Sequence, residues 1–201
     1  MKCNADIQIV GNKVVLVPYK KKHVQKYHEW MQDPSLQEAT ASEPLSIDEE
    51  YSMQKSWAED EDKCTFIVLE RREEMGETEE IDAMVGDVNL FFNDVDDAQA
   101  AEIEVMIAEE RARGNGLGVE AVILMMAYAY SSLKTRKFLA KIGDSNHASL
   151  SLFRKRLGFE FACRSEVFRE TTLELLVDNG EKGKFVADQA SKLCIQKYSK
   201  E

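Results

Sequence analysis

Between residues 101 and 118 an alternating run, Ala101-Glu-Ile-Glu-Val-Met-Ile-Ala108, leads through Glu109-Glu-Arg-Ala-Arg113 into Gly114-Asn-Gly-Leu-Gly118, and a long apolar helical pattern follows. A strand, a glycine-rich turn and a helix start, in that order, form an anion site. The first amides of a helix have no partner inside it, and the helix dipole adds positive potential at the same end. Glycines at 114, 116 and 118 let the backbone approach phosphate oxygens with no Cβ in the way. Arg111 and Arg113 bring mobile positive charge to a chain whose formal net charge is -11. The chemistry is the binding of a phosphorylated ligand, with Arg113, Gly114, Asn115, Gly116, Leu117 and Gly118 as its cradle. The same residues can also make a strand-to-helix turn that holds nothing.

Two phosphate motifs are excluded. A Walker A loop needs Gly-Lys-Ser/Thr, which is absent here. The dinucleotide fingerprint needs a third glycine where Val119 stands, and the next apolar run offers Lys141 near its end rather than an acidic residue. What remains is R-x-x-G-x-G, read as Arg111-Ala-Arg-Gly114-Asn-Gly116. On the strand before it, Glu102, Glu104 and Met106 share one face by the two-residue period, and Ile103, Val105 and Ile107 take the other. A carboxylate so placed is a candidate general base, Glu104 ahead of Glu102, although both also fit as plain solvent-facing residues. Further on, Asn146-His-Ala-Ser149 opens a helical pattern carrying Phe153 and ending at Gly158-Phe159. Asn146 suits either an N-cap or a hydrogen bond to a ligand's amides, with Ser149 one turn on. His147 reads as a capping or surface residue.

The elements that must position these residues are an alternation of apolar runs and helical patterns, which signals an α/β or α+β domain. Val14 to Val17 reads as a strand stopped by Pro18, and Val24, Tyr27 and Met31 fall at helical spacing. Ser46-Ile-Asp-Glu49 fits a capping box, which predicts a helix running toward Trp57. Cys64 to Leu69, Met84 to Phe92 and Ala101 to Ala108 are strands of an antiparallel meander. The loops between them are Arg71 to Asp82, expected to be mobile, and the turn Asn93 to Gln99. Leu117, Ala121, Leu124, Met125 and Tyr128 make one helix face. Phe138 to Ile142 is another strand, and Phe161 to Phe168 with Thr171 to Val177 closes as a hairpin. Residues 1–178 form the expected domain, and 179–201 an appended, partly disordered segment with a weak apolar pattern.

Length and composition narrow the function classes. A chain of 201 residues buries a core without staples. Four scattered cysteines with no CxxC pair suggest neither a disulfide framework nor zinc. No metal site is expected. The N-terminus lacks an apolar signal core and no window is long enough for a membrane span, so a cytoplasmic protein is expected. The acidic balance disfavours nucleic acid and suits a cationic acceptor, or simply solvates the surface.

The turn and the Asn146 to Phe159 segment, in that order, resemble the two motifs of the GNAT acetyltransferases, a likeness that runs over roughly residues 13 to 177. Lys13-Val-Val-Leu-Val-Pro-Tyr19 and His28-Glu-Trp-Met31 resemble the ribosomal-protein alanine acetyltransferase branch, which modifies protein N-termini. Ala41-Ser-Glu-Pro-Leu45, Asp62 to Val68, Met84-Val-Gly-Asp-Val-Asn-Leu90 and Glu102 to Ile107 are similar, more specifically, to the N-acetyltransferase nine family, associated with acetylating the N-termini of α- and β-tubulin. The resemblance implies a single GNAT domain with a mixed, mostly antiparallel sheet of about seven strands flanked by about four helices. It implies acetyl-CoA as cofactor and donor, its diphosphate on residues 113 to 118 with Arg111 beside them and its pantetheine near Asn146, Ser149 and Phe153. Backbone amides at a bulge in the fourth strand, here Val105, Met106 and Ile107, would stabilise the oxyanion.

The family's usual acidic tyrosine is replaced by Phe153, and one extra residue stands before Gly158, so water, Ser149 or another group must protonate the leaving thiolate. The loop Pro34 to Pro44 would wall the acceptor groove, with Glu38 and Glu43 facing a substrate ammonium. Two other readings stay open: a GNAT fold that binds a partner such as the microtubule without catalysis, and a small-amine or lysine acetyltransferase.

Overall fold

Runs of valine, isoleucine and leucine separated by turn residues set the strands, and capped amphipathic stretches set the helices between them. The computed structural model describes residues 2–72 and 77–199. In chain order the elements are β1 (Ile7–Val10), β2 (Val14–Pro18), α1 (Val24–Trp30), α2 (Pro34–Ala39), α3 (Ile47–Glu59), β3 (Lys63–Glu70), α4 (Glu77–Ala83), β4 (Met84–Phe91), β5 (Ala100–Ile107), α5 (Leu117–Tyr128), β6 (Lys137–Gly143), α6 (His147–Ser151), β7 (Glu160–Ser165), β8 (Glu170–Leu176), α7 (Glu181–Ser191) and β9 (Cys194–Lys197). The strands hydrogen-bond in the order β7-β8-β6-β5-β4-β3-β2-β1-β9. β5 and β6 run parallel, Ala101 opposite Phe138, whereas β1 and β2, β2 and β3, β6 and β8, and β7 and β8 are antiparallel. The sheet is thus mixed and mostly antiparallel, as the resemblance implies.

Three segments depart from the sequence reading. The stretch Arg71 to Asp82, expected as a loop, carries α4 from residue 77 onward, and residues 73–76 of it lie outside the described residues. The stretch Pro34 to Pro44 begins with helix α2, because Asp33 accepts the Ser35 amide at 2.8 Å and Pro34 occupies the first turn, where a missing N–H does no harm. The segment 179–201 contains α7 and then β9, which pairs antiparallel with β1, Ile195 opposite Ile9. Its strand was hidden because β9 is exposed along its length and has no alternating pattern. The capping box came out as read: Ser46 Oγ accepts from the Glu49 amide, and Glu49 Oε2 from the Ser46 amide at 2.8 Å.

By internal contacts the chain divides into two units, the first of residues 1–89, 105–121 and 194–201, the second of 90–104 and 122–193. The first is built on an apolar cluster that includes Val15, Val17, Tyr27, Trp30, Ile67, Leu69, Met84 and Met106. Inside it Glu80, 1% exposed, accepts from Tyr198 Oη at 2.6 Å and lies 2.9 Å from His23 Nε2 and 3.3 Å from Lys22 Nζ. His23 Nδ1 accepts the Lys20 amide, so the ring donates to Glu80 from Nε2. Burial lowers the His23 pKa, with Glu80 opposing it. For Glu80 burial acts to raise the pKa, but the bonds from His23 and Tyr198 and the charge of Lys22 outweigh it and bring the value down to about 2. A carboxylate whose folded pKa is depressed stabilises the fold above its unfolded value and loses that contribution as pH falls. Stability carried by Glu80 is therefore full above pH 4.5 and fades toward pH 2. Tyr198→Phe, which strips a donor from a buried carboxylate, is expected to lower unfolding free energy by about 1.5–3 kcal/mol at pH 7 in urea denaturation, and by much less near pH 2.

In the second unit α5 continues into a π-helical turn over Ala129–Leu133, and α6 into another over Leu152–Arg156. A π turn takes up one more residue than an α turn. The one at 152–156 is the physical home of the extra residue before Gly158. It leaves Phe153 3% exposed and edge-on to Phe159 at 5.0 Å, so the helix still closes on its apolar face.

Candidate active site

The glycine-rich turn lies in the first unit. Its shape comes from two left-handed glycines, Gly114 at φ 76° and Gly116 at φ 83°, a region that strains any residue with a Cβ. Among the described residues, no amide from Gly114 to Gly118 donates to a protein group, and the first bond of the helix runs from Glu120 N to Gly116 O. Leu117 and Gly118 are buried while Gly114 and Asn115 are exposed. A row of unpaired amides at the start of a 12-residue helix fits a diphosphate, which supplies the acceptors they lack.

The arginines behave otherwise than mobile phosphate ligands. Arg111 Nη1 is 2.8 Å from Glu70 Oε2. Arg113 reaches back to the carbonyls of Ile107 and Ala108 at 2.9 and 3.0 Å, tying the turn to the end of β5. The cation at the turn that the sequence reading missed is Lys13, whose Nζ donates to the Asn115 carbonyl at 2.9 Å. Glu120 holds it there by accepting the Asn12 and Lys13 amides, each at 2.7 Å. A separation of about a hundred residues left no local signal for this contact. Glu109, just before the turn, accepts from Trp30 Nε1 and from Lys26 Nζ, both at 2.9 Å. Burial acts to raise its pKa, but these partners win and lower it, so the turn is anchored to α1 by a charged carboxylate.

On β5 the simple alternation fails. Ile103 is 1% exposed and Met106 7%, so burial switches from odd to even positions between them. The face expected for Met106 along with Glu102 and Glu104 is thereby corrected: Met106 turns inward with the apolar cluster. Val85 O accepts both the Ala108 and Glu109 amides, and Gly86 presses on the Met106 carbonyl. Such a change of phase is a break in the two-residue period between Ile103 and Met106.

Glu102 and Glu104 belong to the second unit. Glu102 Oε2 is 2.7 Å from Lys141 Nζ, and the hydrogen bond to Glu102 raises the lysine's pKa, with Glu104 contributing from farther off. Glu104 is exposed. Asn146 does cap its helix, its Oδ1 accepting the Ser149 amide at 3.0 Å, and Ser149 is half-buried. Glu38 lies in the last turn of α2 and Glu43 follows the helix, both exposed in the first unit. Among the described residues no His/Cys/Asp/Glu group could hold a metal ion, and no helix is long and apolar enough to cross a membrane.

Comparison with known proteins agrees with this anatomy. The model of the acetyltransferase (GNAT) domain matches residues 13–160. An N-acetyltransferase 9-like protein of Nematostella vectensis is 56% identical over 180 residues, covering 89% of this chain and 90% of that one. The alpha/beta-tubulin-N-acetyltransferase 9 of Homo sapiens is 52% identical over 185 residues, covering 90% and 88%. Among solved structures, spermidine N-acetyltransferase from Vibrio cholerae, in complex with CoA and spermine, superposes with a TM-score of 0.71 at 16% identity, covering 88% of this chain and 99% of that one. The ribosomal L7/L12 alpha-N-protein acetyltransferase RimL gives 0.67 at 17%, covering 85% and 94%. With that fold, that span of sequence and a turn of unpaired amides at the head of α5, the chain belongs to the GNAT family of acetyl-CoA-dependent N-acetyltransferases.

Proposed function

We propose that the protein transfers acetyl groups to the N-terminal amine of a protein, with the N-termini of α- and β-tubulin as its substrates. The observation that carries the donor half is the unpaired amide row at 114–118. The acceptor half rests on relatives named for tubulin at about half identity over nearly their whole length. Bound acetyl-CoA supplies an activated thioester. The chain's own groups do the rest: the 114–118 amides and Lys13 hold the diphosphate, the amides of Val105, Met106 and Ile107 bind the oxygen that becomes negative, and Asn146, Ser149 and Phe153 line the pantetheine. Glu38 and Glu43 attract a cationic acceptor. Glu104, exposed on β5, is the carboxylate that takes a proton through water, with Glu102, bonded to Lys141, behind it. An α-amine, with a pKa near 7.7–8.0, demands less of such a base than a lysine does. Ser149 or water protonates the thiolate, since Phe153 has no proton to give. Residues 1–178 carry the catalytic groups, 179–201 follow as α7 and the sheet strand β9, and exposed thiols at Cys163 and Cys194 suit a reducing, cytoplasmic setting.

The test incubates the protein with acetyl-CoA and tubulin-derived peptides whose N-termini are free or blocked, with spermidine alongside, and locates the acetyl group by mass spectrometry. Acetyl on free α-amines alone is the expected result. Acetyl on lysine or spermidine would overturn the acceptor, and no transfer at all would favour a binding module. Glu104→Gln is expected to slow transfer at least about tenfold with coenzyme A affinity unchanged; a wild-type rate would place the base elsewhere.

A further inference from the structure

Helix α6 and the π turn that continues it border a cavity of about 510 Å³, lined by His147, Leu150, Ser151, Arg154 and Lys155. All five belong to the second unit. His147, Leu150, Ser151 and Arg154 follow the i, i+3, i+4, i+7 spacing of one helix face. Lys155, four residues after Ser151, joins them within the π turn at 152–156, a feature frequent at functional sites. Phe153 is buried against Phe159 on another side of the helix, and neither it nor Asn146 or Ser149, the groups assigned to the pantetheine, lines the cavity.

This face is cationic in a chain that is not. The sequence has 37 acidic residues against 26 lysines and arginines, and Arg71, Arg111, Arg113, Arg136 and Arg164 are each held by a carboxylate or a carbonyl. Arg154, Lys155 and Arg156 are exposed, and among the described residues their side chains make no hydrogen bond or ion pair, nor do those of His147 and Ser151. Cations in the last turn of a helix commonly serve its final carbonyls. Here the Leu152 and Phe153 carbonyls are already taken by the Leu157 and Phe159 amides at 3.1 and 2.9 Å, so capping does not employ the side chains. Leu150, half-buried, adds an apolar patch between His147 and Arg154. From His147 to Lys155 the helix rises about 12 Å, the length of about four residues of extended chain.

We propose that this face docks a short acidic segment of the acceptor protein, outside the acceptor's N-terminus, with Arg154 and Lys155 on its carboxylates, Ser151 and His147 donating hydrogen bonds and Leu150 against its aliphatic stems. The inference rests on the protein-acceptor reading above and deepens it. Charge complementarity selects the occupant. A carboxylate matches the planar guanidinium of Arg154 through two parallel hydrogen bonds, and uncommitted cations around a cavity are the complement of an acidic peptide. A nucleic-acid strand, charged along its whole length, would meet the acidic surface beyond this face, whereas a segment of about four residues stays on it. The transfer site has the opposite character, since Glu38, Glu43 and Glu104 suit a positive amine. An acceptor with its amine in one place and carboxylates in another is held at both, which raises the local concentration of its N-terminus. No bond is made or broken at α6, so the face acts on KM and leaves kcat alone.

The test uses the full chain and an N-terminally blocked hexaglutamate peptide carrying a neutral fluorophore, read by fluorescence anisotropy. Saturable binding is expected, weakening at least about threefold between about 50 and about 200 mM salt. Arg154→Ser together with Lys155→Ser is expected to weaken it at least about tenfold, with coenzyme A affinity unchanged. Arg156→Ser, which removes the same kind of charge outside the cavity, should change it less than about twofold. Transfer is then followed to two acceptor peptides that share a free N-terminus and a flexible linker of about 20 residues and end in hexaglutamate or hexaserine. The hexaglutamate acceptor is expected to show a KM at least about fivefold lower at equal kcat, and the double variant to erase the difference. No binding of hexaglutamate, an equal loss in Arg156→Ser, tighter binding of a thymidine oligonucleotide, or equal KM values for the two acceptors would overturn the docking face. Weakened coenzyme A binding in the double variant would also overturn it, by giving these cations to the cofactor. Hexaglutamate binding that depends on Arg154 and Lys155, in a protein that acetylates neither acceptor, would instead sink the transferase reading and leave the acidic-peptide site standing.

Discussion

Gly116→Glu is expected to lose at least about a hundredfold in affinity for coenzyme A while the protein stays folded. Gly116 sits at φ 83°, where an L side chain is strained by about 1–2 kcal/mol, a fraction of a typical domain stability. The position of its missing Cβ is 3.3 Å from Lys13 Nζ. A glutamate there both meets that lysine, drawing its charge from the ligand, and sets a carboxylate against the diphosphate. Two like charges about 5 Å apart at an effective dielectric of about 20 repel by about 3 kcal/mol, which is more than a hundredfold in binding. Gly116→Ala carries the strain without the charge and should lose far less. Calorimetry with coenzyme A reads both, and wild-type affinity in the glutamate variant would put the diphosphate elsewhere.

Gly86→Ala is expected to be the most damaging small substitution in the first unit. A Cβ at Gly86 would stand 1.8 Å from the Met106 carbonyl oxygen, 2.8 Å from its carbon and 3.0 Å from Ile107 Cα. All three are backbone atoms, so nothing can swing aside and the two strands must part. Overpacking of this kind costs about 3 kcal/mol or more, measurable as a lower urea midpoint. Transfer should fall further than the folded fraction does. Met106 and Ile107 carry amides proposed for the reacting oxygen, and a displacement of about 1 Å in such donors costs on the order of a hundredfold in rate. Wild-type stability would mean that the strands can separate there without loss.

What was legible in the sequence was local. The turn at 111–118, the capping box at Ser46 and Glu49, and the Asn146 cap each depend on residues a few positions apart, and each stands where its pattern placed it. Contacts closed across the chain left no such trace. Lys13 meets the turn from just before β2, and Tyr198 reaches Glu80 from the C-terminal segment. The engagement of Arg111 by Glu70 was equally invisible, since a free arginine and a paired one look alike in a sequence. The phase change on β5 defeats a strict two-residue period, which puts Met106 on the wrong face.

The central claim is that the backbone amides of residues 114 to 118 bind the diphosphate of coenzyme A. The most direct measurement follows those amides by 15N-labelled NMR while coenzyme A, and separately acetyl-pantetheine, which lacks the diphosphate, is titrated in. Large shifts at Gly114, Asn115, Gly116, Leu117 and Gly118 with coenzyme A, and small ones with acetyl-pantetheine, are the predicted result. Saturable coenzyme A binding that leaves those five resonances in place would contradict it.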